Sequence, residues 1–216
     1  MRDPAYPDDE LATPLADDCR RCPALVEARE RIAWGVGPLD AALVVVGEAP
    51  GYGNPDAERW RGGNWTGKAY TARHSGRRVR ALLADAGFGP AECYFTNAVK
   101  CFPAADEPGA DGEPTNREPT ADERANCRPH LRAEVEQVDP AAVVTTGRHA
   151  TASVLAADGV ELESFLETVL EPVESAALET TVVALLHPSY QDVWIPRLDL
   201  ETDYAEAVAR TLAAIA

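Results

Sequence analysis

Apolar residues fall into four short, dense runs separated by stretches of helical spacing. Ala41–Gly47 ends in ALVVVG, Cys93–Val99 reads CYFTNAV, Ala142–Thr146 reads AVVTT and Thr181–Leu186 reads TVVALL. Runs of this kind, β-branched and apolar on successive residues, mark strands buried on both faces of a parallel sheet. Between them, Arg77–Ala86 sets Val79, Leu82 and Leu83 at helical spacing and stops at Gly87. Thr120 with Glu123 three residues on forms a capping box, opening a helix to about Val138. Two more helices are predicted: Arg148–Ala157, after Gly147, and Asp203–Ala216, with Ala207, Leu212 and Ile215 among its apolar residues. The segment 160–180 is expected to hold a helix and an edge strand around Thr168–Val173. Gly47–Gly67 and Phe102–Asn116 are rich in Gly, Pro and polar residues and read as loops. Residues 1–18 form a polar, proline-containing lead, expected to be mobile or draped on the surface; residues 19–216 form the folded domain. Strands alternating with helices predict an α/β fold, a parallel sheet with helices on both faces.

In such sheets the site lies beyond the carboxyl ends of the strands. After the first run comes Gly47-Glu48-Ala49-Pro50-Gly51, after the second Asn97-Ala98-Val99-Lys100-Cys101, and after the fourth His187-Pro188-Ser189-Tyr190. Three polar loops therefore meet at one edge of a parallel sheet.

Charge adds a second feature. The chain carries 36 acidic and 20 basic residues, a formal net charge of −16, and its only lysines are Lys68 and Lys100. An acidic, alanine-rich, arginine-dominated composition resembles that of proteins adapted to molar salt, where self-repulsion is screened. Asp3, Asp8, Asp9 and Glu10 crowd the start, where a signal peptide would be apolar. No run approaches the roughly 20 apolar residues that span a bilayer, so a soluble, cytoplasmic, monomeric chain is expected. Against the acidic background, Arg59–Arg80 holds seven basic residues and no acidic one. Such an island fits a local anionic partner, or a solvated face balancing nearby carboxylates. Cys19, Cys22, Cys93, Cys101 and Cys127 are odd in number, which with the missing secretory signal argues against a disulfide framework. Cys19-x-x-Cys22 has metal-ligand or redox spacing.

GEAPG, TNAVKC and HPSY in this order, with CxxC upstream and a further cysteine after the Asn116–Thr120 NREPT segment, resemble the family 4 uracil-DNA glycosylases over roughly residues 19–195. The resemblance implies a three-layer α/β/α sandwich around a four-stranded parallel sheet, a [4Fe–4S] cluster on Cys19, Cys22, Cys101 and Cys127, and hydrolysis of the bond between uracil and deoxyribose in single- or double-stranded DNA. Four thiolates are the usual ligation of such a cluster. Spacing alone does not separate it from a zinc site made of four cysteines. The 101–127 gap is longer than the family pattern, and the acidic segment 104–115 accounts for it. Cys93, inside a strand, reads as an inert buried thiol.

Releasing a base requires flipping it out of the stack and stabilising negative charge on it as the bond breaks. His187 is the candidate donor to that charge. Asn97 is the candidate reader: one amide orientation matches the O4 acceptor and N3–H donor of uracil and rejects cytosine. Trp65, in a Gly63–Gly67 loop similar to the family's G-x-P-F-x-G, is the candidate stacking ring. Ala49, Pro50, Gly51 and Asn54 are expected around the base. In family 1 an aspartate in this loop positions the attacking water; Ala49 stands there here, leaving Glu48 or backbone carbonyls to do so. The acidic residues that the family carries after GEAPG are replaced by Tyr52-Gly53-Asn54-Pro55. Arg73, Arg77 and Arg78 are expected on phosphates. Ser189, Tyr190, Val193 and Trp194 are expected at the gap left by the flipped base. Two other readings stand beside the enzyme: a cluster-bearing damage-binding protein without turnover, and a zinc-stapled nucleotide-binding module.

Overall fold

A computed structural model describes residues 4–8, 11–110 and 112–216. One seven-stranded sheet organises it, in the order β1-β2-β4-β3-β5-β7-β6. The four apolar runs are its centre: β3 (Leu43–Gly47), β4 (Cys93–Asn97), β5 (Ala142–Thr146) and β7 (Thr180–Leu185), all mutually parallel. The parallel core is thus the expected one, while the sheet is wider than four strands. β1 (Ala12–Thr13), β2 (Gly35–Val36) and β6 (Pro172–Ser175) add antiparallel edges. The first two are only two residues long, too short to show an alternation in sequence. β1 lies within the lead: Ala12 and Thr13 pair with Val36 and Gly35, and the Tyr6 ring meets Trp60 edge-on at 5.1 Å. Through these contacts the described part of the lead is draped on the domain, one of the two expected arrangements. Asp3, Asp9 and Glu10 lie outside the described residues.

Successive residues of each central strand feed opposite layers, as the two-residue period of a strand requires. Val45, Phe95, Val144 and Val183 pack with α3 (Ser75–Asp85) and α8 (Tyr204–Ala213). Val44, Val46, Tyr94, Val143 and Val182 pack with α4 (Ala121–Val138) and α5 (Arg148–Leu155). The result is the expected three-layer α/β/α sandwich. The Thr120–Glu123 capping box is present, each residue accepting from the other's backbone N–H. Asp203 caps α8 through the Glu206 N–H. Within 160–180 lie α6 (Phe165–Thr168) and then β6. The loop Gly47–Gly67 contains one helical turn, α2 (Gly63–Thr66), and α7 (Gln191–Trp194) follows the His187 loop. A third apolar cluster joins α1 (Pro23–Ala28) to the sheet through Leu25, Ile32, Trp34 and Val99, and gathers Cys19, Cys22, Cys101 and Cys127.

Among the described residues, no helix is long and apolar enough to cross a membrane.

Candidate active site and cysteine centre

The carboxyl ends of the four parallel strands come level because their register is unbroken, with Gly47 opposite Asn97. The Ala98 N–H donates to the Gly47 carbonyl (2.7 Å) and the Val99 N–H to that of Glu48 (2.9 Å), zipping the first two loops together. Gly47 must be glycine: a Cβ there would lie 2.6 Å from Asn97 Oδ1 and 3.0 Å from the Tyr70 hydroxyl. Asn97 and Tyr70 therefore converge on one point above β3. The Tyr70 hydroxyl shares a hydrogen bond with Thr146 Oγ1 at 2.6 Å, and its ring is tilted against Phe95. Burial pushes this phenol well above its usual range, so it stays neutral. Arg80 Nε donates to the Tyr70 carbonyl (3.3 Å), holding a residue whose φ of 52° is unusual for a ring-bearing side chain.

His187 follows β7. Its Nδ1 accepts the Ser189 N–H at 3.2 Å, which leaves the proton of the neutral ring on Nε2. Burial, and after it the neighbouring His149, hold the imidazole below the usual histidine range. Gly147 allows the close approach: at φ 90°, a Cβ on it would meet His187 Cβ at 2.9 Å. A cavity of about 680 Å³ opens here, lined by Glu48, Thr146, Gly147, His149, His187 and Tyr190 among others. Glu48 is half-buried. Burial pushes its carboxyl upward, His149 pulls it back, and Glu118 pushes it up again.

The loop after β5 obeys the strand-end rule as well as the other three, and brings Thr146, Gly147 and His149 to the cavity. Sequence reasoning passed over it because Gly147 reads only as the end of the strand before the Arg148–Ala157 helix. It also passed over Asn116, Arg117 and Glu118, which directly follow the 104–115 insertion and line the same cavity. Asn116 clasps the GEAPG loop, donating to the Pro50 carbonyl (3.1 Å) and accepting the Tyr52 N–H (3.3 Å). Glu118 Oε1 takes both His149 Nδ1 (3.0 Å) and Arg124 (2.9 Å).

Other expected residues stand elsewhere. Trp65, Asn97, Tyr70, Ala49 and Pro50 are not among the cavity-lining residues; Tyr70 stands one hydrogen bond behind the lining Thr146, with Asn97 next to it over Gly47, whereas the Trp65 ring meets Tyr52 edge-on at 5.4 Å on the GEAPG-side loop. Tyr70 is the aromatic at the strand ends. Gly51 and Asn54 line a separate groove between that loop and the insertion. The basic run is only partly a surface. Lys68 and Arg80 are buried, and the Arg80 guanidinium lies 3.7 Å over the Phe95 ring, its pKa lowered to about 10 by burial. Arg73 is exposed, while Arg77 and Arg78 are half-exposed on α3 beside the His187 loop, and Arg78 reaches Asp192 at 3.5 Å. Ser189 and Val193 are exposed, as is Tyr190, which lines the cavity; Trp194, which also lines it, is half-buried under Arg197.

The four cysteines of the third cluster each meet a nitrogen. Arg29 donates to Cys101 Sγ (3.0 Å), the Lys100 N–H to Cys127 Sγ (3.3 Å) and Asn126 to Cys22 Sγ (3.6 Å), and Cys19 Sγ lies 3.6 Å from His130 Nε2. The donors on Cys22, Cys101 and Cys127 favour thiolates, while burial pushes the same three thiols upward. A tetrahedral zinc would bring four sulfurs within roughly 4 Å of one another. Among the described residues, no group of three or more Cys, His, Asp or Glu is gathered closely enough to hold a metal ion. Cys93 faces the other layer, near the Phe88 carbonyl, and burial pushes its thiol to about 12.

Comparison with known proteins decides the family. The uracil DNA glycosylase superfamily pattern matches residues 34–208, spanning the carboxyl ends of the four parallel strands. The chain belongs to that superfamily. A type-5 uracil-DNA glycosylase of Pyrobaculum aerophilum is 34% identical over 91% of this chain and 88% of its own length. Type-4 enzymes of Thermotoga maritima and Archaeoglobus fulgidus are 30% and 29% identical, over 84% and 79% of this chain and 81% and 76% of theirs. The glycosylase resemblance carried by GEAPG, TNAVKC and HPSY is therefore matched by relatives of the type-4 kind, and a type-5 relative stands alongside them.

Proposed function

We propose that the cavity at the carboxyl ends of β3, β4, β5 and β7 is where this uracil-DNA glycosylase hydrolyses the N-glycosidic bond of uracil in DNA, leaving an abasic site for base excision repair. One observation supports the placement above others. A buried amide (Asn97) and a neutral phenol (Tyr70) converge over Gly47, and the phenol is bonded to Thr146, which lines the cavity together with a neutral imidazole whose Nε2–H is the available donor.

Asn97 reads the base edge, and Tyr70 with Thr146 forms the floor. The His187 Nε2–H hydrogen-bonds to the uracil oxygen on which charge builds, an interaction that strengthens as the bond breaks. Glu48 holds the attacking water and faces the cationic sugar. Ala49, Pro50 and Gly51 shape the wall that Asn116 clasps. Tyr190, with Ser189 and Trp194 beside it, fills the gap in the stack, and Arg73, Arg77 and Arg78 contact flanking phosphates. Trp65 and Asn54 act from the adjoining loop rather than on the base.

Cys19, Cys22, Cys101 and Cys127 are the residues that would hold a [4Fe–4S] cluster. A cluster held there would tie the N-terminal segment, the Asn97 loop and α4 into one unit. The protein works as a cytoplasmic monomer, on single- or double-stranded DNA, in a high-salt interior. The test is incubation of purified protein in molar KCl with oligonucleotides carrying one uracil, followed by alkali. Strand breaks at uracil and free uracil in the supernatant are expected. Tight binding without breaks would instead favour a damage-binding protein.

A further inference from the structure

Three residues beyond Asn97 the chain buries a lysine. Lys100 is 1% exposed, and its partner Glu134, on α4, is 0% exposed. Lys100 Nζ donates to Glu134 Oε2 (2.5 Å), to Thr96 Oγ1 (2.6 Å) and to the Asn97 carbonyl (2.6 Å), so all three ammonium protons are used. Glu134 is equally satisfied: Oε2 also accepts the Thr96 hydroxyl (2.6 Å), and Oε1 accepts the Gly35 N–H (3.0 Å). The Lys100 backbone N–H points the other way, to Cys127 Sγ. One residue thus grips the base-reading position on one side and the cysteine centre on the other.

Stability does not account for this pair. Taking two charges out of water costs about what their attraction returns, and well-packed apolar replacements of buried pairs are often neutral or stabilising. What an apolar pair cannot supply is direction. The Asn97 carbonyl and the Thr96 hydroxyl are each held by a bond from Lys100, and Thr96 by a second to Glu134. The backbone carrying the Asn97 amide is therefore fixed at the point where it meets Gly47.

We propose that the buried Lys100–Glu134 pair is a positioning device for base selection, holding Asn97 so that its amide meets uracil in a single orientation. This rests on the reading of Asn97 as the residue that reads the base. A fixed amide separates uracil from cytosine because the two bases reverse their donors and acceptors along that edge. A displaced or swivelling amide loses rate on uracil and loses discrimination with it.

The test uses the metal-loaded protein and the double variant Lys100→Met/Glu134→Leu, which removes both charges and leaves none unpaired. It is expected to keep its iron and to melt within a few degrees of wild type. Single-turnover uracil release at saturating DNA should fall by about 10- to 100-fold, the scale of a small misplacement. The dissociation constant for uracil DNA should stay within about threefold, and release of cytosine relative to uracil should rise. A folded double variant with wild-type rate and selectivity overturns the proposal. A second measurement needs no variant: NMR of the wild-type Asn97 side-chain amide. A sharp, slowly exchanging pair is expected, and a signal broadened by reorientation overturns the proposal even where the double variant does not fold. Asn97→Ala separates the two layers of argument, because undiminished uracil release by that variant sinks the base-reading role itself.

Discussion

His187→Ala removes one donor from a site that holds it in three ways. Nδ1 is fixed by the Ser189 N–H at 3.2 Å, the ring lies against Gly147, and the preceding Leu186 N–H is tied to the Tyr204 hydroxyl at 2.7 Å. Little reorganisation is left for the moment of reaction, so the loss should reach the range measured for one oxyanion donor, about 2.7–4 kcal/mol or 10²- to 10³-fold. The ring is half-buried and neutral, which places the expectation near the lower figure, about 100-fold. The assay is single-turnover release of uracil at saturating DNA, with binding followed separately. Binding should change little, because the bond grows only in the transition state. The pH dependence has a definite sign. The folded pKa lies below that of a free histidine, so the neutral form dominates above about pH 6.5. The His187 contribution should therefore be flat from there to pH 8 and be lost as pH falls through the depressed value, where protonated Nδ1 can no longer accept from Ser189. Stability follows the same direction, since the unfolded chain takes up this proton first. A His187→Ala protein that releases uracil within about threefold of wild type refutes the assignment.

Tyr70→Ala should lower both uracil release and affinity for uracil DNA, whereas Trp65→Ala should cost mainly stability, read by thermal melts; the reverse pattern would restore Trp65 as the base-stacking ring. The purified protein should be brown, absorbing broadly near about 400 nm as thiolate-ligated iron does. Alanine at Cys19, Cys22, Cys101 or Cys127 should lose iron while Cys93→Ala keeps it, and colourless protein with stoichiometric zinc would contradict this. Melting temperature should fall as KCl is diluted from molar concentration, because a chain of net charge −16 then repels itself; salt-independent melts would remove the high-salt reading.

Much of the fold was legible because each central strand is buried on both faces and announces itself without alternation. The capping box at Thr120 fixed the start of α4 in the same way. β1 and β2 were not legible: two residues carry no period, and pairing with a neighbour makes them strands. At the site, legibility followed chemistry that is local. His187, Asn97 and Glu48 each stand directly after a strand. Tyr70 reaches the same point from the middle of a long loop, through a left-handed backbone, and nothing in sequence gives that reach. Trp65, better placed by motif, is turned aside by α2. The basic run misled for a related reason, because Arg80 on the inner face of α3 stacks on Phe95 while Arg73 stays in water.

The insertion at 104–116 closes on itself. The Ala105 N–H donates to the Thr115 carbonyl (2.8 Å), Gly109 bonds to Glu113, and the Arg117 N–H returns to the Pro103 carbonyl (2.9 Å). Pinched off at its neck, the segment leaves and re-enters the domain at nearly the same place. Its contour length is then uncoupled from the span it must bridge, and lengthening such a loop costs only slowly growing entropy, about 0.6 kcal/mol per doubling. Cys101 and Cys127 are neighbours in space however many residues the hairpin holds. A cysteine spacing counted along the chain thus measures the hairpin and not the separation of the two cysteines. Trimming the tip between Ala105 and Thr115 to a tight turn should leave the cysteine centre, Asn116 and Glu118 where they are.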